Sequence, residues 1–578
     1  MTQLRRRTLG NLSLLAKTNI PLLLKRLYIQ RGIKHPSELV LSTSNLLTYS
    51  QLTGVHKAVT LLAKAIFTNL KIIIVGDFDT DGATSIALVM IALKTMGAKN
   101  ISFLVPNRFE EHYGLTTKIV EQALAFGAQM ILTVDNGISA YDGINLAYSK
   151  NIPVLVTDHH LPSNILPPAA AIVNPHLKSC HFQSKNLAGV GVAFYLMLAL
   201  RANLYQKGWF SNQKIAVPKL AKLLDLVALG TIADMVPLDF NNRILVYQGI
   251  SRIRSGYCCI GIRVLAEIAH INLANLCASD LGFYLGPYLN AAGRLKDMSL
   301  GVNLLLSNNL LQARMLAKKL DILNKTRRQI EYRMKIQALE LCKKTVQNQG
   351  KMPLGLSIYH HQWHQGVIGI LASKLKEHFH RPVIIFAPTS NGLLKGSCRS
   401  IVGLHIYDVL HKLNSLYPGM ILTFGGHAMA AGLTLKEIQF HTFSYRFNNL
   451  IQQLIIPSML DKIIWSDGEL SSKELSIVTA EILQNGGPWG EAFPYPLFDG
   501  KFTIINQRLL NKKHLKLKIK HISNGPIIDG IMFNTNTLIF PNNKQNIVQL
   551  AYKLNINKYY GTSRLELLIE HIWSCNKF

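Results

Sequence analysis

Between residues 71 and 175 the chain alternates short apolar runs with segments of helical period, and nothing else in it constrains the fold as much. KIIIV (71–75), ISFLVP (101–106), MILTV (130–134), IPVLVT (152–157) and AAIVN (170–174) have the length and β-branched content of buried strands. Thr84 to Met96, Leu115 to Phe126 and Ile138 to Ser149 lie between them and read as helices, the first two followed by Gly97 and Gly127. Strands alternating with helices of about a dozen residues make βαβ units. The prediction is an α/β fold built on a parallel sheet covered on both faces.

The acids fall at telling places in this pattern. Asp77, Asp79 and Asp81 follow the first strand in GDFDTDG. Asp135 follows the third in VDNGIS, and Asp158, His159 and His160 follow the fourth in TDHH. Open α/β sheets bind ligands beyond the carboxyl ends of their strands. Clustered carboxylates cannot all ionise side by side, so some keep protons or cations sit among them. An oxygen-rich set with one or two imidazoles suits Mg²⁺ or Mn²⁺, and the histidine favours Mn²⁺. Taken singly, each Asp is a turn former or helix cap and each His an ordinary polar group. Turns do not require DxDxDG, D and DHH at successive strand ends, so the combination points to a metal site. Asp234, in LGTIADMVPL, is a further candidate ligand.

Elsewhere the pattern changes. Residues 187–300 are mostly helical in character. From Val302 to Gln349 there is no Gly or Pro, and a continuous helix there would reach roughly 70 Å. It reads as a connector between domains, with Lys and Arg along a groove or simply on a solvated face. Gly350 to about Ile456 returns to α/β, with strands near LGLSIY and PVIIFA and a Gly-rich FGGHAMAAG. From 457 on, KFTIINQRL, HLKLKIKHI and IIDGIMFN predict the short strands of a small barrel or sandwich.

At 578 residues the chain has room for three or four domains. Apolar residues make up 48% and charged ones 16%, which excludes wholesale disorder. Lys and Arg number 62 against 32 Asp and Glu, a formal net charge of +30. Nucleic acid is the commonest partner for such an excess; AT-biased codon usage produces the same drift. Seven cysteines without a CxxC pair exclude a zinc ribbon and fit a reducing compartment. No uncharged apolar run reaches 18 residues, and the start lacks a cleavable signal. The expectation is a cytoplasmic protein that does not engage a membrane.

GDFDTDGATS, VDNGIS, TDHH and GTIADMVPL resemble the ordered motifs of the DHH phosphoesterase superfamily. LAGVGVAFYLMLALR, LGPYLNAAGRL, WHQGVIGILASKL and FGGHAMAAGLT narrow the resemblance to the RecJ family of bacterial single-strand-specific DNA exonucleases. It extends over essentially the whole chain, including GPWGEAFPYPLFDG and QLAYKLNIN. The resemblance implies a DHH catalytic domain with an N-terminal extension and helical part (1–300) and a long connecting helix (301–349). A DHHA1 substrate-binding domain (350–456) and an OB-fold nucleic-acid-binding domain (457–578) follow.

The family further implies 5′-to-3′ hydrolysis of single-stranded DNA to mononucleotides, in recombination and repair. Its expected partners are single-stranded DNA, a single-strand-binding protein and a helicase, and it is expected to be a monomer. The implied metal ligands for two divalent cations, Mn²⁺ or Mg²⁺, are Asp77, Asp79, Asp81, Asp135, His159 and Asp234. Asp135 would bridge them, and the pair would generate a hydroxide nucleophile. His160 would stand beside the scissile phosphate, hydrogen-bonding a phosphoryl oxygen or assisting the leaving 3′ oxygen. Asp158 would orient its neighbours.

Substrate contacts are expected from Asn290, Arg294, Ser397, Arg399, Ser400, Gly425, Gly426 and His427. Arg399 offers a bidentate fork and the glycines bare backbone N–H groups. Two positions depart from the family pattern, Cys398 and His112, where glycine is usual. Trp489, Phe493, Tyr495 and Phe498 beside NKKHLKLKIKH suit base stacking, although a small barrel also needs rings for its core, and most are expected to be buried. Two other readings remain at this point. One is a DHH/DHHA1 phosphodiesterase of short oligonucleotides or cyclic dinucleotides, which would need little beyond the two α/β domains. The other is a non-catalytic single-strand-binding descendant, which would have lost ligands.

Overall fold

The computed structural model describes residues 2–109, 114–389, 392–535, 547–559 and 562–574. His112 lies outside the described residues. The chain divides into two compact units. One contains 4–289, 298–317 and 464–578; the other contains 1–3, 290–297 and 318–463.

In the larger unit the predicted βαβ region forms a five-stranded sheet. Its order is Ile101–Leu104, Ile72–Gly76, Met130–Val134, Val154–Thr157, Ala171–Val173. Every pairing in it is parallel. The register pairs Gly76 with Val134 and Val134 with Thr157. The next residues on these strands, Asp77, Asp135 and Asp158, therefore emerge along one edge. The helix expected from Thr84 starts at Thr80 and runs to Thr95. Asp79 caps it, its Oδ1 accepting from Gly82 N at 3.0 Å. Gly82 permits the earlier start, because a Cβ there would lie 2.4 Å from the Asp77 carbonyl oxygen.

The C-terminal strands close into a barrel in the order Phe498–Leu510, His514–His521, Ile527–Met532, Thr562–Ser574, Ile547–Tyr559. This decides between barrel and sandwich. Leu515, Leu517 and Ile519 fill its interior, and the alternation turns Lys516, Lys518 and Lys520 to the other face.

The N-terminal residues pack against the segment leading into this barrel, which sequence did not foretell. Arg31 and Asp467 form a buried ion pair at 3.0 Å, and Arg6 meets Asp499 at 2.7 Å. Tyr28 stacks on Trp489 and Phe493 with centroids 6.1 and 6.3 Å apart. Trp489, Phe493 and Phe498 are buried, as the needs of a small core predicted.

The Gly- and Pro-free window is two helices, Ser299–Leu306 and Leu310–Gln349. The break is local. Ser307 Oγ donates to the Asn309 carbonyl, and Asn309 Oδ1 accepts from Gln312 N, capping the long helix. At 40 residues that helix is about 60 Å long.

The smaller unit holds a mixed sheet in the order Thr423–Gly426, Ala430–Lys436, Leu393–Arg399, Val383–Pro388, Leu356–Tyr359. Only the last pairing is parallel. Phe443 and Phe447 of the helix Phe440–Leu454 pack with Ile384, Phe386 and Leu433 in its core. Cys398 is fully buried in that core.

Candidate metal centre

The aligned strand ends bring the predicted ligands together. Three groups have one ligand atom per residue within 4.8 Å of the others: Asp77–Asp79–Asp135, Asp81–His159–Asp234 and Asp135–His159–His160. All six expected ligands occur among them, and Asp135 occurs twice. His159 Nε2 lies 3.1 Å from Asp135 Oδ1 and 3.5 Å from Asp234 Oδ2. Asp135 has φ +62, a left-handed conformation that Asp tolerates better than most residues.

Asp81 is held by backbone that the local sequence makes possible. Both oxygens of Asp81 accept amides at the start of the helix Gly189–Gln206, from Gly189 at 2.6 Å and Val190 at 3.0 Å. A helix N-terminus favours a carboxylate in this way. Gly189 is required there, since a Cβ would meet Asp135 Oδ1 at 2.6 Å. Gly230 serves alike, its Cβ position lying 2.7 Å from Asp81 Oδ1. The small residues of LAGVGV and LGT were the signal for this close approach.

Asp158 has a different environment. Its Oδ1 accepts from His159 N at 2.7 Å and His160 N at 3.1 Å, and it meets His160 Nδ1 at 2.7 Å. Its Oδ2 accepts from Ile138 N at 2.9 Å. The group is thus engaged in orienting the histidines. Burial alone would raise its pKa; the His160 bond and charge outweigh that and hold it below the usual value. Burial lowers His160 in turn, but Asp158 prevails and lifts it to about 9. Burial also holds His159 below its ordinary value, which keeps the ring neutral and able to bind metal.

The remaining acids move the other way. Burial, followed by repulsion from Asp79, pushes Asp77 up to about 8. Burial, then the charges of neighbouring aspartates, pushes Asp81 and Asp135 well up. Asp234 is raised chiefly by burial. Asp77 Oδ1 is buried with no hydrogen-bond partner. A site of buried acids that resist ionising together, one with an orphaned oxygen, fits hard divalent cations.

Sequence reading missed Arg108. Its guanidinium lies 4.1 Å from the Phe78 ring centroid, and burial lowers its pKa while Asp77 and Asp79 raise it. The signal was weak, a lone Arg in VPNRFEE just past a strand.

The expected substrate residues belong to the smaller unit. Arg399 Nε donates to Ser373 Oγ at 3.1 Å, and its Nη1 donates to the Cys398 carbonyl at 2.7 Å and to Ser397 Oγ at 3.3 Å. The register lines Gly425, Gly432 and Ser397 across three strands. Gly426 needs its φ of +140, and a Cβ there would meet the Ala430 carbonyl oxygen at 2.5 Å. His427 is exposed, and its N–H donates to that carbonyl at 2.7 Å. Asn290 and Arg294 share the helix Gly286–Leu295, where Arg294 Nη1 donates to the Gly366 carbonyl at 3.4 Å. Ser400 differs from these. It is fully buried and gives its hydroxyl to the Leu404 carbonyl, which ties the turn after the strand.

Comparisons with known proteins agree with this arrangement. The DHH family N-terminal domain matches residues 71–231, the DHHA1 domain 351–453 and the RecJ OB domain 466–571. The single-stranded-DNA-specific exonucleases RecJ of Dickeya dadantii and Escherichia coli are each 55% identical, over 99% of this chain and 99% of theirs. The crystal structure of RecJ with Mn²⁺ from Thermus thermophilus superposes with a TM-score of 0.81 at 26% identity. That match covers 100% of this chain and 80% of the other. The Mg²⁺ complex from the same organism gives 0.75 at 25% identity, covering 100% and 79%.

Proposed function

The chain belongs to the RecJ family of single-stranded-DNA-specific exonucleases, and from that membership we propose how its residues perform the reaction. It is a metal-dependent exonuclease of single-stranded DNA. We infer that it works from the 5′ end and releases mononucleotides, in recombination and repair. The observation that carries this reading is the overlap of three ligand groups through Asp135 and His159 at one sheet edge.

Asp77, Asp79 and Asp135 would hold one cation, and Asp81, His159 and Asp234 the other, with Asp135 between them. Bound Mn²⁺ or Mg²⁺ supplies charge neutralisation at the scissile phosphate and lowers the pKa of an attacking water. His160 directs Nδ1 to Asp158, and its Nε2 would serve a phosphoryl oxygen or the departing 3′ oxygen. Asp158 fixes that ring. Arg108 offsets part of the charge of Asp77 and Asp79.

Asn290, Arg294, Ser397, Arg399, Gly425, Gly426 and His427 would contact the DNA backbone, Arg399 through its guanidinium. The barrel, with its row of lysines, would bind single strands further from the reacting bond. The enzyme would act as a cytoplasmic monomer, beside a helicase that opens duplex and a protein that keeps the strand single. No described helix is long and apolar enough to cross a membrane, and the six described cysteines are free. Neither a short-oligonucleotide phosphodiesterase nor a non-catalytic binder gains support, because the barrel is present and the six expected ligands occur in clustered groups that could hold a metal.

The test is digestion of oligonucleotides labelled at the 5′ or the 3′ end, single- or double-stranded, with Mn²⁺, Mg²⁺ or excess EDTA. The expected result is metal-dependent loss of single strands, with the 5′ label released first as a mononucleotide. Release of the 3′ label first would overturn the polarity. Full activity in EDTA would overturn the metal assignment.

A further inference from the structure

A cavity of about 270 Å³ lies in the larger unit and is lined by none of the residues of the acid cluster. Its walls include Tyr28, Leu39, Leu41, Tyr247, Phe493 and Arg243. Tyr28, Leu39, Leu41, Tyr247 and Phe493 present largely apolar surface, while Asn485 and the backbone of Gly486 and Gly487 add polar surface to the same lining. The Tyr28 hydroxyl is already given to the Gly486 carbonyl at 2.8 Å.

Arg243 is the unusual member. It stands on the helix Phe240–Arg254 and is 3% exposed. Its guanidinium sits 4.6 Å from the Phe493 ring centroid and 5.8 Å from that of Phe240. No side-chain hydrogen bond or ion pair reaches it from any described residue. The two carboxylates that influence it are engaged elsewhere. Glu38 Oε1 accepts the amides of Lys34 and His35. Asp239 accepts from Ser184 Oγ, Asn186 Nδ2 and the Asn242 amide. The guanidinium thus borders the cavity without a protein acceptor among the described residues for its five donors, and a stacked ring face returns only a little of what such a bond would give.

We propose that this cavity is a binding site for an organic monocarboxylate with an apolar body, held by the Arg243 guanidinium. A planar carboxylate matches the fork of Arg in a bidentate bond. A phosphate dianion would call for more than the one cation lining the cavity. The aliphatic and aromatic part of the lining takes an apolar body, and the volume limits it to about the size of an acylated amino acid. Such a group could be a free acid or the last residue of a polypeptide. The site does not depend on the nuclease reading.

The experiment uses the full chain and ligand-observed NMR or calorimetry. The probes are N-acetyl-leucine and N-acetyl-phenylalanine as free acids, their primary amides, inorganic phosphate, and a hexapeptide ending in the better of the two residues. The free acids should bind at least about tenfold more tightly than the amides, and phosphate should not compete. A hexapeptide binding more tightly than the acetylated residue identifies a polypeptide source; equal or weaker binding identifies a free acid. Arg243→Gln should remove the preference for acid over amide. Leu39→Trp, which fills the cavity and keeps the cation, should remove binding altogether, so the test survives a folding defect in the first variant. Equal binding of acid and amide, no binding at millimolar concentration, or acid binding that persists in a folded Leu39→Trp variant would each refute the site.

Discussion

The acid cluster and the candidate phosphate contacts of the smaller unit solve different electrostatic problems. In the cluster, the register of a parallel sheet delivers buried carboxyls to one edge, and their pKa values rise because they crowd each other out of water. Around Arg399, a half-buried cation is engaged through Nε and Nη1 by Ser373, Ser397 and a backbone carbonyl. The first region stores unfavourable energy that cations relieve. The second is already partly satisfied and gains only what a charge-assisted contact adds to a bond in water. Metal capture should therefore be all-or-none in its consequences, and phosphate capture graded.

The largest effect should come from Asp135→Asn. It removes the carboxylate shared by two ligand groups, and hydrolysis of single strands should fall by about 10³-fold or more. Circular dichroism should show the fold retained and gel shifts much of the DNA binding. Near-normal turnover would break the contrast at its centre.

Arg399→Ala should act mainly on capture, raising KM about 10- to 100-fold with a smaller change in kcat. Its Mn²⁺ affinity, read by calorimetry, should match that of the unaltered protein. Loss of metal along with activity would show that the two regions are not independent.

The strain in the cluster has a sign that can be measured. Asp77 titrates near 8 when folded, against 3.8 in its ordinary state. Its contribution to stability is thus fully present below pH 3.8 and is lost as pH rises toward 8. In excess EDTA, Asp77→Asn should be more stable than the unaltered chain at pH 8, by about 1–3 kcal/mol, with the difference shrinking toward pH 4. Saturating Mn²⁺ should reverse the order. Urea denaturation at several pH values reads both.

The smallest effect belongs to the barrel. Lys518 is exposed on the strand His514–His521. If it meets one phosphate, Lys518→Ala should flatten the log–log salt dependence of single-strand binding by about 0.7. An unchanged slope would remove this residue from the DNA path.

The cluster was legible in the sequence because its logic is local. A strand end followed by Asp recurs at 77, 135 and 158, and parallel pairing does the rest. Its supports were only half legible. Gly189 and Gly230 stood in small-residue runs, but their contact with Asp135 and Asp81 depends on helix packing that no spacing reveals. Arg108 carried only the weak signal of a lone Arg just past a strand. The burial of Ser400 was equally hidden, since KGSCRSI reads the same whether a hydroxyl points to solvent or to the Leu404 carbonyl. The docking of Arg31 on Asp467 joins residues 436 apart, and single-sequence periodicity has no access to such a pair.

The central claim is that the cluster holds two cations through a shared Asp135. Calorimetric titration of Mn²⁺ into the metal-free full chain tests it most directly, with Asp135→Asn alongside. Two Mn²⁺ per chain, with at least one lost in Asp135→Asn, is the predicted result. A single Mn²⁺ in a fully active enzyme, or an unchanged stoichiometry and affinity in Asp135→Asn, would contradict it.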